Sequence, residues 1–321
     1  MILGQALLAI LGILHAVAAY FYFSKERHAA RWSTAWLVLT ALALWQLPVR
    51  PLASALTFGA VIAAWTWWWG SIPALAARNW VPEDARQATA TLAGAHLIVH
   101  NLRNFTWHAA RDFVPCWEQR SYDLANLIAV DLFVCTWGDP RIAHLIVSFV
   151  FSDTVPLAFS IETRRETSEK WSILAGLMKA YELVMIAADE RDVIRVRTNV
   201  RHERVRRYRV LSTPTMRQRM LIRYIEELNE VAAHPRFYNT LYRNCTTEVV
   251  RLLRETGLPV PLGWRLLVSG YVPEYLYQYR LIATDQPFAQ VQPAADIGAL
   301  ARAADADPAF SRLIRGERGA T

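Results

Sequence analysis

The sequence predicts an α+β protein in which N-terminal transmembrane helices precede a domain of one antiparallel sheet with helices grouped beside it. Three observations predict this. Apolar residues are 54% of the 321-residue chain and crowd its N-terminus, where three long stretches are nearly uncharged. From Leu97 onward, short alternating runs separated by turn residues replace them. Two helical runs then follow, one capped at Thr213-Pro214 and one starting near Cys245.

Ile2 to Phe23 and Leu52 to Ala77 are long enough to cross the hydrocarbon core, which takes about 20 residues. Thr34 to Leu47 is shorter and crosses only if Arg31 and Arg50 snorkel. Trp65, Trp67, Trp68 and Trp69 suit an interfacial belt. A cleaved signal peptide ending near Ala16-Val17-Ala18 would need a basic leader that is missing here. Residues 1–77 are therefore read as a membrane anchor of about three helices, 78–283 as the α+β domain and 284–321 as a tail that adds little to the core. Lys25, Arg27 and Arg31 fall in the first loop, and Arg78 and Arg86 follow the third stretch. By the positive-inside rule, this count puts the domain in the cytoplasm.

His96 to Phe105 reads as a strand, and Ser121 to Val134 as a segment of mixed period. Ile142 to Phe151 and Pro156 to Glu162 alternate around the turn Ser152-Asp153-Thr154, which is a hairpin signal. Trp171 to Tyr181 reads as a short helix. Glu182 to Ala187, Asp192 to Thr198 and Arg204 to Leu211 read as strands. Thr213 is the N-cap of a helix with Pro214 at its first position, and Pro235 ends that helix. A second helix starts near Cys245 and stops at Gly257, and Trp264 to Tyr279 is a further packed segment.

The net charge is +7, and Arg195, Arg197, Arg201, Arg204, Arg206, Arg207 and Arg209 form one dense basic run. Alternation with valines gives it a solvated basic face, better suited to anionic lipid headgroups than to nucleic acid in a tethered domain. Cys116, Cys135 and Cys245 lack C-x-x-C spacing, so no thiolate metal site is expected, nor any organic cofactor. A Cys116–Cys135 disulfide is open in an extracytoplasmic domain and would leave Cys245 as the odd thiol.

Cys245 opens a predicted helix, where backbone N–H groups and the helix dipole favour a thiolate. The alternative is a buried, inert thiol. A nucleophile needs a base and a group to orient that base. His144 lies in the strand Ile142 to Ser148. With a three-residue loop, Phe151 opposes Val155 and the ladder sets His144 opposite Glu162, about 5 Å apart at Cβ. A one-residue slip would send the two side chains to opposite faces. His96 and His100 are further candidates, and His15, His28, His108, His202 and His234 are weaker ones. Asn244, Arg103, Arg164 and Arg165 are candidates for binding polar or anionic substrate groups.

These residues fall within a series of ordered motifs: Asn101-Leu-Arg-Asn-Phe105, Tyr122-Asp-Leu124, Ala143-His-Leu-Ile-Val-Ser-Phe149, Ser160-Ile-Glu-Thr-Arg-Arg-Glu166, Tyr181-Glu-Leu183, Asp189-Glu-Arg-Asp192, Arg197-Thr-Asn199, Tyr238-Asn-Thr240 and Asn244-Cys-Thr-Thr247. From about Asn79 to Leu281, the chain resembles the Lnb N-terminal periplasmic domain family. The resemblance implies a domain on the periplasmic side of the bacterial inner membrane. It implies a circularly permuted papain-like (NlpC/P60-like) arrangement, with Cys245 as nucleophile, His144 as base and Glu162 as the orienting carboxylate. It also implies lipoprotein N-acyl transfer through an acyl-thioester. A membrane-tethered cysteine hydrolase or amidase would use the same three residues, and a non-enzymatic anchored binding module would use the basic face.

Overall fold

The computed structural model describes residues 2–22, 29–258, 260–261 and 263–317. Lys25 and Arg27, which entered the loop-charge count, and the candidate His28 lie outside them. The helices are α1 (Ile2–Tyr22), α2 (Ala29–Gln46), α3 (Pro51–Ser71), α4 (Glu190–Val193), α5 (Pro214–Ala233), α6 (Cys245–Glu255), α7 (Val272–Gln278), α8 (Phe288–Ala294), α9 (Gly298–Ala303) and α10 (Phe310–Leu313). The strands are β1 (Thr89–Ala93), β2 (His96–Arg103), β3 (Thr106–Ala109), β4 (Asp112–Val114), β5 (Trp117–Asp123), β6 (Leu127–Thr136), β7 (Ala143–Phe151), β8 (Leu157–Arg164), β9 (Glu182–Ala188) and β10 (Arg204–Arg209). The chain divides into two units: Met1–Asn79 with Arg165–Glu182 and Arg236–Thr240, and the remainder.

The first unit holds α1 to α3. Of these, α1 and α3 are long and apolar enough to cross a membrane; α2 falls short in hydropathy. A Cβ at Gly12 would lie 2.2 Å from the Thr40 side chain, so glycine is what lets α1 and α2 approach there. His15 stacks on Trp36 of α2 at 5.4 Å, and Trp36 meets Trp65 of α3 at 4.9 Å. The Lys179 ammonium donates to the carbonyl of Trp69 at 2.5 Å, at the C-terminal end of α3, where a cation suits the helix dipole. The helix expected over Trp171 to Tyr181 is a single 3₁₀ turn at Ala175–Leu177. The Tyr181 hydroxyl donates to the Lys170 carbonyl and accepts from the Ser172 N–H. Gly176 also sits so close to Thr240 that a Cβ would meet its hydroxyl at 2.4 Å. Both ties hold the segment in a compact loop.

The second unit is α+β, as the sequence predicts. Its sheet runs β1-β2-β9-β8-β7-β6-β10, with β5 also on β2; β3 and β4 pair separately. Every strand pair with a defined register is antiparallel except the single β2–β9 contact. β7 is an interior strand between β8 and β6, and all nine of its residues are buried. Alternation sends Val147, Phe149 and Phe159 to one face, where Tyr224 of α5 meets both phenylalanine rings at 5.3–5.4 Å. Leu253 of α6 lines an apolar gap with Leu132 and Val147 on that face. The opposite face carries Phe133, Cys135, Ile146 and Ala158.

Two sequence expectations fail in this unit. Asp192 to Thr198 is not a strand. The chain turns through α4 into a π-helical turn, Val196–Val200. The Asp189 side chain accepts from the Arg191 N–H and caps α4, while Asp192 is held by Arg103, the Trp107 indole and the Phe105 N–H. These bonds favour the helical path over the strand preference of the valines. The tail also packs into the core. Ile297, Ala301, Ala304, Phe310 and Ile314 cover the Phe133–Ile146 face. The buried Arg315 guanidinium then reaches both Asp131 and Glu190, and Ser148 of β7 donates to Glu190.

Because Phe310 is fully buried, Phe310→Ala should cost about 3–5 kcal/mol. A denaturant titration with an unchanged midpoint would show that the tail is dispensable.

Candidate active site

The site begins with a helix cap. Asn244 has extended backbone, and its side-chain oxygen accepts from the N–H groups of Thr246 and Thr247 at 2.8 and 3.0 Å. The Thr247 hydroxyl accepts from the Asn244 N–H at 2.9 Å and completes the box. Cys245 is thus held as the first residue of α6. The cap has a cost for the chemistry: it takes two first-turn donors that could otherwise face a substrate oxygen. Asn244, expected as a substrate contact, serves as this cap.

The base arrives on β7. Ile146 pairs with Ser160 and Phe149 with Leu157, the register that the three-residue loop predicts. Continued to the strand ends, it sets His144 against Glu162. His144 is buried, and its Nε2 lies 3.1 Å from Oε1 of the half-buried Glu162. The Ser160 hydroxyl lies 2.7 Å from the same Nε2 and donates to Glu162 Oε1 at 2.7 Å. A serine has one hydroxyl proton, and here it goes to Glu162. The Ser160 oxygen must therefore accept from His144, so Nε2 carries a hydrogen and the lone pair of a neutral ring sits on Nδ1. The His144 imidazole and the Leu145 N–H both lie close enough to the Cys245 sulfur to favour its thiolate. With Nε2 committed to Glu162 and Ser160, Nδ1 is the ring nitrogen left to exchange a proton with the sulfur.

Electrostatics follow from this packing. Burial works against the Cys245 charge, but the His144 cation, its hydrogen bond and the Leu145 amide outweigh it and lower the thiol pKa. For His144, burial lowers the pKa, while Glu162 and the thiolate raise it, with a net rise to about 9. Burial raises the Glu162 pKa, yet His144 and Arg197 carry it well below the ordinary carboxylate value. Arg197, itself buried, donates to Glu162 Oε1 and to Glu203 Oε2, each at 3.0 Å. Cys135 stands cross-strand from His144, and burial pushes its thiol up to about 12. Cys116 is exposed, and all three cysteines are free thiols, so the open Cys116–Cys135 disulfide is not formed.

The arginines expected to bind substrate lie elsewhere. Arg103 is buried and bonds Asp192 with two nitrogens at 2.8 and 3.1 Å. Arg164 is buried, donates to the carbonyls of Asp84 and Ala85, and lies 4.5 Å from the Trp80 ring centroid. Both are framework. Arg165 belongs to the first unit. His100 pairs with Thr91, His234 with Glu230, and His15 stacks within the first unit. His108 and His202 line a surface cavity of about 430 Å³ with Trp107 and Arg195. His96 is exposed at a strand end. The basic run is mostly neutralised: Arg195 by Asp305, Arg197 by Glu162 and Glu203, Arg207 and Arg209 by Asp131. It is not the solvated face that the alternation predicts. Sequence reasoning missed Ser160, Arg197, Glu203 and the Leu145 amide. Ser160 was accessible to it, since it lies two residues from Glu162 and shares its face.

Among the described residues, no group of His, Cys, Asp and Glu is arranged to hold a metal ion. The model of the Lnb N-terminal periplasmic domain matches residues 113–270. Residues 113–270 belong to the Lnb N-terminal periplasmic domain family. The matched Lnb domain contains Cys245, His144 and Glu162. Comparison with curated proteins and with solved structures gives no match. The family is periplasmic, which corrects the cytoplasmic placement drawn from loop charges. With two helices long and apolar enough to span, the chain fits a membrane-associated periplasmic protein.

Two pH dependences follow. The folded His144 pKa is raised from 6.5 to about 9, so its contribution to stability is complete below pH 6.5 and lost as pH rises through about 9. The Glu162 pKa is lowered from 4.5, so its contribution is complete above pH 4.5 and lost on acidification through the depressed value. The stability difference between wild type and His144→Ala should therefore shrink between pH 6.5 and 9. In a Cys116→Ser background, iodoacetamide should alkylate Cys245 at a pH below the ordinary thiol value of about 8.5. His144→Ala should move that profile upward; coincident profiles would show that the imidazole does not ionise the thiol.

Proposed function

We propose that the protein is a membrane-anchored, cysteine-dependent acyltransferase that works on lipid or lipoprotein substrates through an acyl-thioester at Cys245. One observation carries this reading: a thiol at a helix start stands beside an imidazole whose Nε2 lies 3.1 Å from a carboxylate. A cysteine opening a helix and a histidine on a strand also suit the permuted papain-like arrangement. Family membership and the spanning helices support a bilayer substrate. The reading includes a three-helix anchor and the bacterial inner membrane as the location.

The chemistry runs as an ion pair would dictate. The Cys245 thiolate attacks an ester carbonyl carbon, the C–S bond forms and the C–O bond breaks. The imidazolium gives its Nδ1 proton to the departing alkoxide. An amine then attacks the thioester, the neutral imidazole takes the amine proton, the C–N bond forms and the C–S bond breaks. The thiolate and imidazolium are restored. Glu162 stabilises the cation, and Ser160 fixes the tautomer. With the Thr246 and Thr247 amides committed to the cap, the Cys245 N–H remains the donor at the helix start for the developing oxyanion.

If water replaces the amine, the same residues give a membrane-tethered hydrolase or amidase. Products separate the two: an acylated amine or a free acid. The binding-module alternative loses its basis, because acidic partners neutralise most of the basic run.

Mass spectrometry of the full chain after incubation with bacterial lipid extract should find a fatty acyl group on Cys245. Cys245→Ala should carry none, and His144→Ala should acquire it about 100-fold more slowly. Equal labelling of Cys245→Ala and wild type would end the acyl-enzyme proposal.

A further inference from the structure

With Arg103 and Arg164 bound inside the framework, a different cation stands at the site. Arg201 directly follows the π-helical turn that carries Arg197, and its backbone N–H donates to the Val196 carbonyl at 2.8 Å. Its guanidinium lies over the Trp107 ring, 5.9 Å from the centroid. Trp107 is buried, and its indole N–H is spent on Asp192 at 2.7 Å, so the ring is a fixed platform. Stacking on such a face orients a guanidinium while leaving its N–H edge available.

The charges around Arg201 make this placement unusual. Arg103 and Arg197 repel it, while Glu162 and Glu203 attract it. Each of the other two arginines has a carboxylate at hydrogen-bond distance. Among the described residues, Arg201 makes no hydrogen bond or ion pair through its side chain. Burial and Arg197 lower its pKa, as expected of a cation without a close counterion. The residue is nevertheless exposed, so a ligand can reach it. It directly follows the turn whose Arg197 donates to Glu162 at 3.0 Å, which puts it on the segment that holds the carboxylate orienting His144.

We propose that Arg201 is the oxyanion-recognition residue of this site, and that it binds the phosphate group of the substrate from its platform on Trp107. The proposal rests on the acyl-transfer reading and names the polar group that such a substrate would carry. Arginine suits this role because its planar fork offers two parallel N–H donors to a phosphate. A phospholipid headgroup and free phosphate present the same oxygens, so the test must separate them.

The test compares wild type, Arg201→Gln and Arg201→Lys in detergent, as full chains. Acylation of Cys245 is followed by mass spectrometry with phosphatidylglycerol and with diacylglycerol of the same acyl chains. The ratio of the two rates should fall about tenfold in Arg201→Gln, the size expected for one charge-assisted bond. Arg201→Lys should recover part of it. A ratio unchanged in Arg201→Gln overturns the proposal, as does an equal loss on both lipids. Iodoacetamide alkylation of Cys245 supplies a readout that needs no acyl transfer. Glycerol phosphate should slow alkylation of wild type and not of Arg201→Gln; equal effects on both proteins overturn the assignment. Inorganic phosphate protecting as well as glycerol phosphate would make this a simple phosphate site, against the headgroup assignment. If neither lipid acylates Cys245 while glycerol phosphate protection still depends on Arg201, the acyl-transfer reading fails and the phosphate site stands.

Discussion

One oxygen organises this domain. Glu162 Oε1 receives the His144 ring, the Ser160 hydroxyl and the Arg197 guanidinium together. A half-buried carboxylate with three donors is held ionised, and its charge is what keeps an imidazolium stable beside it. The thiolate is the next step in the same sequence, since the imidazolium and the Leu145 amide favour sulfur as an anion. Loss of the carboxylate would leave Arg197 and His144 as adjacent buried cations. The nucleophile, the base and the tautomer thus depend on one side chain contributed by β8.

The tail and the acidic residues of the sheet explain why a strongly basic run ends so little exposed. Asp131 is fully buried on β6 and takes Arg207, Arg209 and Arg315. Glu190 takes Arg315 and Ser148. Buried charges of this kind are tolerated because each is paired and hydrogen-bonded. They join α4, β6, β7, β10 and the tail on the face of the sheet that also carries His144, Ser160 and Glu162. The mechanical base of the site is therefore assembled from distant parts of the chain.

This distribution also sets what the sequence could reveal. The hairpin register was legible because side-chain alternation and a short loop are local properties. The start of α6 near Cys245 was legible from the helical run that ends at Gly257, but its cap was not, since Asn244 looks like a substrate contact until Thr246 and Thr247 are seen to engage it. The π-helical turn was not, since valines in a basic run look like a strand until Asp189 caps α4 and Arg103 secures Asp192 from elsewhere. The tail was hidden for a related reason. Its larger apolar residues, such as Ile297, Phe310 and Ile314, are spread through an Ala/Asp/Pro-rich stretch with no sustained strand or helix period to mark them as core. Arg103 and Arg164 look like substrate ligands by type; their partners, Asp192 and the carbonyls of Asp84 and Ala85, are visible only in three dimensions.

The wide turn at Val196–Val200 has a consequence for how this scaffold can change. A π turn holds one residue more than the ordinary helical repeat. Removing a single residue there would let the segment relax to regular winding, and each residue of that winding rotates direction by about 100°. Arg197 and Arg201 would then swing away together, one from the carboxylate and the other from the indole. Length variation at this point would act as an all-or-none edit, whereas the same deletion in a surface loop would pass unnoticed.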